Sequence, residues 1–373
     1  MKIYRVGMLG FGFMGKAHTF GYQTIPLYYG QHPIPIKLEA VCCRSRESVD
    51  IALREHGFAH GYTDIYEFFN KSNLDILHIC TPNIFHKEAL MEAIRRNIHV
   101  YCEKPLTINY EEATDVLQEL EGKQLITQVV FHNRFFAPTI RAKQILSEGI
   151  LGYPISFSAH YYQSSHLDKN MPVGWRQLPG FNGGVILDIG SHTVDMIYWM
   201  LGEFERVTAI DKTLFKKRPD GRGGMVSMLE EDEFMALAHM KNGADGLIHV
   251  SKITAGKSND LCIEIFCENG AIKLDLSNPN CLEVYNHQDS MRSCGEDRGY
   301  KRIECLNHYP DRLFPSATHA NGWLSGHVHC LYNFLCAIRD NKQANPSIKD
   351  GAYVMLILDR IKESAKNKQW VSI

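Results

Sequence analysis

Three glycines at positions 10, 12 and 15 follow the apolar run YRVGML and open an amphipathic stretch. A G-x-G-x-x-G pattern between a strand and a helix is typical of a dinucleotide-binding turn. The first glycine permits the tight turn, the second lets a pyrophosphate approach the backbone, and the third allows the helix to pack closely. The N-terminus of that helix then faces the phosphates. The alternative is a glycine-rich turn that binds nothing, and the flanking elements favour a dinucleotide. The turn residues predicted to contact the dinucleotide are Gly10, Phe11, Gly12, Phe13, Met14 and Gly15.

Periodicity divides the chain into two parts. Up to residue 131, short apolar runs such as LDILHIC and IHVYC alternate with amphipathic stretches. This alternation predicts a doubly wound parallel sheet, and therefore a dinucleotide-binding Rossmann domain at residues 1–131. Beyond it, longer two-periodic segments joined by KNG and ENG turns predict an α+β domain at residues 132–373, with a large, mostly antiparallel open sheet. Helices are predicted at 138–148, 185–201, 326–341 and 349–367, and a long surface excursion at 277–322.

Composition excludes several classes of partner. Lys and Arg total 40 against 42 for Asp and Glu, so the net charge of −2 offers no case for nucleic acid or an anionic membrane. No apolar run approaches the roughly 18 residues of a membrane span, and the N-terminus reaches glycines too early for a secretory signal. The 11 cysteines are odd in number and scattered through apolar runs, which favours free thiols in a cytoplasmic protein. Cys262 and Cys267 lie in a strand-like run, so no metal site is predicted.

The end of the second predicted strand, in LEAVCCRSRE, bears on the choice of coenzyme. NAD specificity usually needs a carboxylate there to accept the ribose 2′-hydroxyl, whereas a nearby arginine suits the 2′-phosphate of NADP. The slot is occupied by Cys43, and Arg44 and Ser45 follow it. NADP is therefore slightly favoured over NAD, although Glu39 or Glu47 remains an alternative partner for the hydroxyl.

Polar residues also follow two later strands. In a doubly wound sheet, the carboxyl ends of the strands line the ligand crevice, so these residues are predicted to lie near the nicotinamide end of the cofactor. Lys104, held by the proline that follows it, is suited to proton transfer or to a hydrogen bond with a hydroxyl. The alternative is an exposed ion pair at a strand end. The residues predicted here are Thr81, Pro82, Asn83, His86, Glu103 and Lys104.

The stretch GGVILDIGSHTVDMIYWMLG, residues 183–202, carries a polar stripe in an apolar helix. Asp188, His192, Asp195 and Trp199 recur at steps of three and four residues, which places them on one helix face. Burying unpaired Asp and His is costly, so this face must meet something polar. His192 is suited to proton exchange near neutral pH, with Asp188 orienting it. The alternative is a satisfied core pair.

Taken together, these residues resemble the glucose-fructose oxidoreductase, inositol dehydrogenase and MocA (Gfo/Idh/MocA) family. The matching elements, in the family's order over most of the chain, are Gly10 to Gly15, Thr81-Pro82-Asn83 with His86, Glu103-Lys104-Pro105, NRFFAP at 133–138, Trp175-Arg176 and GGVILDIGSHTVD. The resemblance implies a Rossmann domain, a second α/β domain and a nicotinamide cofactor. It further implies that His192 is the general acid/base, that Lys104 polarises the substrate hydroxyl, and that Asp188 positions His192.

The resemblance predicts an NAD(P)-dependent oxidoreductase acting on a secondary alcohol of a sugar, polyol or glycoside, with Trp175 and Arg176 contacting substrate. It also predicts a homo-oligomer, a dimer or higher, formed through the open sheet. Two alternatives remain open. One is a redox-cycling enzyme that cleaves glycosides through transient oxidation and elimination, and the other is a non-catalytic dinucleotide-binding sensor.

Overall fold

The computed structural model of the chain describes residues 2–178, 180–288, 291–292, 295–296 and 299–373. These residues form two compact units. The first contains Met1–His132, Pro310–Ser316 and Trp323–Met355, and the second contains Asn133–Tyr309, Ala317–Gly322 and Leu356–Ile373. The later segments of the first unit come from beyond residue 132, and the functional division into 1–131 and 132–373 stays a prediction.

The strands are short in the first unit and longer in the second. In chain order they are β1 (Tyr4–Leu9), β2 (Ile36–Cys42), β3 (His60–Tyr62), β4 (Ile76–Ile79), β5 (His99–Cys102), β6 (Thr127–Val129), β7 (Pro154–Tyr162), β8 (Phe204–Lys212), β9 (Lys217–Pro219), β10 (Met225–Ser227), β11 (Glu233–Met240), β12 (Asp245–Ser251), β13 (Asp260–Cys267), β14 (Gly270–Asp275), β15 (Cys281–Asn286), β16 (Met291–Arg292), β17 (Gly295–Glu296), β18 (Lys301–Glu304) and β19 (Val371–Ser372).

The helices are α1 (Phe13–Tyr29), α2 (Arg46–His56), α3 (Ile65–Lys71), α4 (His86–Arg95), α5 (Tyr110–Leu120), α6 (Ala137–Ser147), α7 (Val185–Asp188), α8 (Gly190–Leu201), α9 (Trp323–Arg339) and α10 (Ile348–Asn367). No helix among the described residues is long and apolar enough to cross a membrane.

The first unit is built on a six-stranded parallel sheet. Its strand order is β3-β2-β1-β4-β5-β6, the doubly wound order in which the chain reverses direction beside β1. Every residue of β4 is buried, as expected for a central strand covered by helices on both faces. Because all six strands run the same way, the segments that follow β1, β2, β4 and β5 meet at one edge of the sheet.

The second unit contains a nine-stranded sheet in the order β18-β15-β14-β13-β7-β12-β11-β8-β19. Neighbouring strands pair antiparallel except β7 and β12, which are parallel. The KNG turn joins β11 to β12 and the ENG turn joins β13 to β14, as predicted. Helices α6, α7 and α8 pack on one face of the sheet. The α/β fold class and the mostly antiparallel second sheet are therefore confirmed.

The other face of the nine-stranded sheet carries exposed apolar side chains. On β7, β8, β11 and β12, buried and exposed positions alternate along the strands. The large apolar side chains on this face with at least 45% exposure are Ile210 at 63%, Leu237 at 51% and Leu247 at 45%. Leu237 and Leu247 are direct cross-strand partners, so this is a continuous apolar surface.

Two sequence predictions need correction. The segment 277–322 is not simply a surface excursion, because β15 and β18 within it pair with each other and extend the nine-stranded sheet. The helix predicted at 185–201 is interrupted at Ile189, so that Asp188 ends α7 and His192 lies in the first turn of α8. The short edge strand β3 gave no period-2 signal strong enough to identify it.

Candidate active site

The glycine turn has the geometry of a phosphate-binding loop. Gly10 adopts a φ of +90°, and a Cβ there would lie 2.7 Å from the carbonyl oxygen of Cys80. A Cβ on Gly15 would overlap the carbonyl oxygen of Gly10, whereas a Cβ on Gly12 would meet no atom within 4 Å. The backbone is therefore open at Gly12, at the N-terminus of α1, where the first N–H groups of a helix have no intrahelical acceptor. This turn fits a dinucleotide pyrophosphate.

The apolar residues of the turn have separate environments. Phe11 is buried, and its ring packs edge-on against Phe58 in the core around β2. Phe13 is 74% exposed, and its ring centroid lies 5.4 Å from that of Trp323 on α9. Met14 is half-buried. Phe11 therefore supports the turn from the core side, and Phe13 presents its ring at the surface.

The segment after β2 contains no carboxylate at the predicted ribose position. Cys43 is buried, and burial raises the pKa of its thiol to about 11. Arg44 is exposed, and Ser45 caps α2 by accepting a hydrogen bond from the Ser48 backbone N–H at 3.3 Å. Glu39 pairs with Lys37 at 2.8 Å, on the strand itself. The guanidinium of Arg44 is therefore the charged group that directly follows β2.

The segments after β4 and β5 are tied together by His86. Its Nδ1 lies 2.9 Å from the carbonyl oxygen of Pro105, and its Nε2 lies 2.9 Å from that of Thr81. The side chain is fully buried, and burial lowers its pKa. Asn83 is buried in the single 3-10 turn that follows Pro82. His86 therefore connects the two segments through their backbones and does not present its own ring nitrogens at the surface.

Glu103 and Lys104 differ in their surroundings. Lys104 is half-buried. The Glu103 side chain is buried, and its Oε1 lies 3.0 Å from Nε2 of His18 on α1. His18 Nδ1 in turn lies 3.1 Å from Nδ1 of His78 on β4, and His78 Nε2 lies 2.8 Å from the Tyr22 hydroxyl.

This buried chain of hydrogen bonds escaped the sequence analysis. Burial and the neighbouring His18 hold the pKa of His78 well below its usual range, so the His78 ring is neutral. The signal that could have identified the chain is the placement of His18 and Tyr22 one turn apart in α1, directly after the glycine turn. The chain holds the Glu103 carboxylate in place beside Lys104.

In the second unit, Asp188 lies between two cations. Its Oδ2 forms an ion pair with the Lys252 ammonium, and its Oδ1 lies 3.3 Å from Nε of Arg176. The Arg176 guanidinium lies over the Trp175 ring, 4.3 Å from the ring centroid. Asp188 and Lys252 are both buried. Lys252 was missed in the sequence because it follows a strand of the second sheet, β12, and not a strand end of the doubly wound sheet, where Lys104 was sought.

His192 is buried in the first turn of α8, 5% exposed, and its ring centroid lies 6.5 Å from that of Tyr161 on β7. Burial and, secondarily, the Asp188 carboxylate raise the pKa of the Tyr161 hydroxyl, which donates a hydrogen bond to Asn259. Asp188, Lys252, Arg176 and His192 thus bring an ionised pair and an imidazole to the α7–α8 region of this unit.

The rest of the predicted polar stripe has a different role. Asp195 is fully buried and accepts two hydrogen bonds from Arg134, at 2.9 Å from Nε and 2.6 Å from Nη2. Arg134 also lies over the Trp199 ring, 5.5 Å from its centroid. Asp195 and Trp199 therefore hold Arg134 in the core, and the alternative of a satisfied core pair applies to this half of the stripe.

The paired glycines before α7 admit a buried carboxylate. A Cβ on Gly184 would overlap the side chain of Glu231, whose Oε1 accepts a hydrogen bond from the Ile186 N–H at 2.7 Å. Burial raises the pKa of Glu231 to about 7. Glu231 therefore anchors the N-terminus of the helix that ends at Asp188.

The doubly wound sheet with its open glycine turn, and the second unit with its buried acid and imidazole, define a dinucleotide-dependent oxidoreductase. Comparison with known families agrees. Residues 4–131 match the oxidoreductase family with an NAD-binding Rossmann fold, and residues 139–273 match the GFO/IDH/MocA C-terminal domain. The two matches cover well over half of the chain. The chain belongs to the Gfo/Idh/MocA family of NAD-binding oxidoreductases, which confirms the resemblance drawn from its motifs.

Relatives extend over the whole chain. Levoglucosan dehydrogenase of Pseudarthrobacter phenanthrenivorans is 28% identical, with 100% of this chain and 99% of that protein covered. Myo-inositol 2-dehydrogenase of Thermotoga maritima is 23% identical over 99% of this chain and 98% of its own. The solved structure of levoglucosan dehydrogenase in complex with NADH and levoglucosan superposes with a TM-score of 0.94 at 28% identity, covering 100% of both chains.

Proposed function

We propose that the protein oxidises a secondary alcohol of a sugar, polyol or glycoside, or reduces the corresponding ketone, with a nicotinamide coenzyme. The observation that carries this proposal is the buried Asp188–Lys252 ion pair with the buried His192 four residues after Asp188, in a chain that matches levoglucosan dehydrogenase from end to end. The names of the relatives, which include a glucose-6-phosphate 3-dehydrogenase, support a carbohydrate alcohol as the substrate class.

His192 is proposed as the general base for oxidation and the general acid for reduction. Its imidazole is the side chain of this group that exchanges a proton near neutral pH. Lys104 is proposed to polarise the substrate hydroxyl, and Asp188 to position His192. A bound nicotinamide would supply the hydride acceptor for the carbinol carbon, and His192 would take up the hydroxyl proton. Trp175 and Arg176 are proposed to contact the substrate.

Lys252 adds a residue to this set. An isolated carboxylate as buried as Asp188 would tend to take up a proton, because burial disfavours its charged form. The Lys252 ammonium at Oδ2 and the Arg176 guanidinium at Oδ1 favour the ionised form instead. We therefore assign Lys252 a positioning role, in which it keeps Asp188 ionised and fixed at the end of α7.

NADP is proposed as the preferred coenzyme. The support is the buried neutral thiol of Cys43 where NAD-specific sheets carry a carboxylate, followed directly by the exposed guanidinium of Arg44. Ser45 supports it less than the sequence suggested, because its hydroxyl caps α2. Kinetics with both coenzymes test this preference.

Assembly into a dimer or higher oligomer through the open sheet is also proposed. The exposed Leu237 and Leu247 pair and the neighbouring Ile210 support it, because apolar side chains on adjacent strands form a surface that a second sheet can cover. Sedimentation of the purified protein, compared with a Leu237→Lys variant, tests it. A cytoplasmic location remains a prediction.

The experiment that tests the function is an assay of the purified protein with NAD and NADP against a panel of sugars, polyols and glycosides. His192→Ala and Lys104→Met should each lower kcat by about a hundredfold to ten-thousandfold, the usual contribution of a positioned acid/base group. The controls are His287→Ala and Lys87→Met, since His287 is exposed and Lys87 forms a surface ion pair with Asp115.

Reduced nicotinamide that accumulates with the alcohol substrate supports net dehydrogenation. Glycoside cleavage without that accumulation would indicate the redox cycle instead. Coenzyme binding with no turnover on any member of the panel would indicate a sensor. Near-normal turnover in either catalytic variant would contradict the assignment of these residues.

A further inference from the structure

His327 on α9 is a buried histidine outside the proposed acid/base set. Its side chain is 3% exposed, and neither ring nitrogen has a hydrogen-bond partner among the residues that the structure describes. Leaving one buried polar atom unsatisfied costs about 1–3 kcal/mol, so two such atoms on one ring call for a ligand or ordered water.

A row of aromatic contacts within the first unit links His327 to the glycine turn. Its ring stacks on His132 with the centroids 3.9 Å apart, and its centroid lies 4.4 Å from that of Trp323, one turn earlier in α9. Trp323 in turn contacts Phe13 of the glycine turn. One donor atom each of His327, His18 and Glu103 lie within 4.8 Å of one another, and Glu103 directly precedes Lys104 in the chain. The aromatic row from Phe13 to His327 therefore leads from the glycine turn to Glu103, the neighbour in sequence of the lysine proposed to act in the reaction.

The protonation of His327 follows from its surroundings. Burial holds its pKa well below the usual range, and the neighbouring His132, His18 and Lys104 lower it further. The ring is therefore neutral, with one N–H donor and one acceptor nitrogen. A neutral ring also adds no positive charge beside an oxidised nicotinamide.

We propose that His327 binds the nicotinamide nucleoside of the coenzyme. The group that it contacts on the nucleoside is neutral and both donates and accepts hydrogen bonds. Two groups of that nucleoside have this chemistry, the carboxamide and the ribose hydroxyls. This inference rests on the proposed function, in which the protein binds a nicotinamide coenzyme. It adds to that function a coenzyme-binding residue on α9, far along the chain from the glycine turn.

A metal ion is the competing occupant. Donor atoms of His18, Glu103 and His327 lie within 4.8 Å of one another, and two imidazoles with a carboxylate can hold zinc. However, His18 Nε2 and Glu103 Oε1 already share a hydrogen bond at 3.0 Å, and Lys104 adds a positive charge close to His327. Both features disfavour a second cation, whereas a neutral polar ligand leaves the His18–Glu103 pair intact.

The test is calorimetric titration of the purified full chain with NADH, NADPH, ADP-ribose, ADP and Zn²⁺. His327→Phe keeps a planar ring against His132 and Trp323 but removes both nitrogens, and His327→Gln restores a donor and an acceptor. The matched control is His329→Phe on the same helix, because the His329 ring is half-buried and its Nδ1 lies 2.5 Å from the Tyr29 hydroxyl. Circular dichroism verifies folding.

His327→Phe should bind NADH about threefold to tenfold more weakly, the effect of losing one or two hydrogen bonds. His327→Gln should recover part of the affinity, and the His329 control should match the unsubstituted protein. ADP lacks both candidate groups and should bind all variants equally. An ADP-ribose loss equal to that of NADH assigns the contact to the ribose, and a loss confined to NADH assigns it to the carboxamide.

Unchanged NADH affinity in both folded His327 variants would overturn the inference, as would an equal loss for ADP, which indicates a general distortion. Stoichiometric Zn²⁺ binding that disappears in the variants while NADH affinity stays constant would identify a metal site instead. If the unsubstituted protein bound neither NADH nor NADPH, the coenzyme-dependent function itself would fail, a result distinct from the others.

Discussion

Replacing Asp195 by Asn tests the conclusion that one half of the polar stripe on α8 serves stability and not catalysis. Asp195 and Arg134 have 0% and 2% side-chain exposure and are joined by two hydrogen bonds at 2.6 and 2.9 Å. Removing one partner of a buried ion pair leaves a buried charge uncompensated and costs about 3–5 kcal/mol. For a unit of this size, that corresponds to a loss of about 6–20 °C in Tm.

The measurement is urea unfolding followed by tryptophan fluorescence, since Trp199 contacts Arg134 directly. Glu363→Gln is the control, because its pair with Arg360 is about 40% exposed on both sides and should contribute less than about 1 kcal/mol. The double variant Arg134→Met with Asp195→Leu removes both charges and should recover most of the stability. Turnover of the folded Asp195→Asn protein should remain close to normal.

A cost for Asp195→Asn no larger than that of the exposed control would refute the reasoning. A stable variant with strongly reduced kcat would refute it in a different way, because Asp195 would then belong with His192 in the acid/base set.

Three further predictions concern the coenzyme turn, pH and coenzyme choice. Gly12→Ala should fold normally, because its Cβ would meet open space, but it should bind NADH more weakly. Gly15→Ala should be less stable, because its Cβ would overlap the carbonyl oxygen of Gly10, and an equal Tm for the two variants would contradict this. Burial raises the folded-state pKa of Glu231 from 4.5 to about 7, so its contribution to stability is complete below about pH 4.5 and is lost as pH rises through about 7. At 1.36 kcal/mol per pKa unit, the loss in the free energy of unfolding is about 3 kcal/mol. Urea unfolding at pH 5 and pH 8 should show this loss in the unsubstituted protein and not in Glu231→Gln. Arg44→Asp should shift the ratio of kcat/KM towards NAD, and an unchanged ratio would remove Arg44 from the coenzyme site.

Local patterns predicted much of the fold. The glycine turn, the alternating strands and helices of residues 1–131 and the KNG and ENG hairpins were all readable, because each depends on neighbouring residues. The parallel pairing of β7 with β12 was not readable, since the two strands are far apart in the chain and a parallel pair has no turn to mark it. The strands β15 and β18 were missed because they lie in a segment rich in loop-forming residues.

The candidate site divides in the same way. The sequence by itself determined which residue types follow the parallel strands and which polar residues interrupt the apolar helix at 185–201, because strand ends and helix faces follow from local periodicity. Only the tertiary structure decided their partners: Glu103 with His18, Asp188 with Lys252 and Asp195 with Arg134, which lie 85, 64 and 61 residues apart. Hydrogen bonds and ion pairs act over a few ångströms, so the partner of a buried charge depends on which distant elements the fold packs beside it.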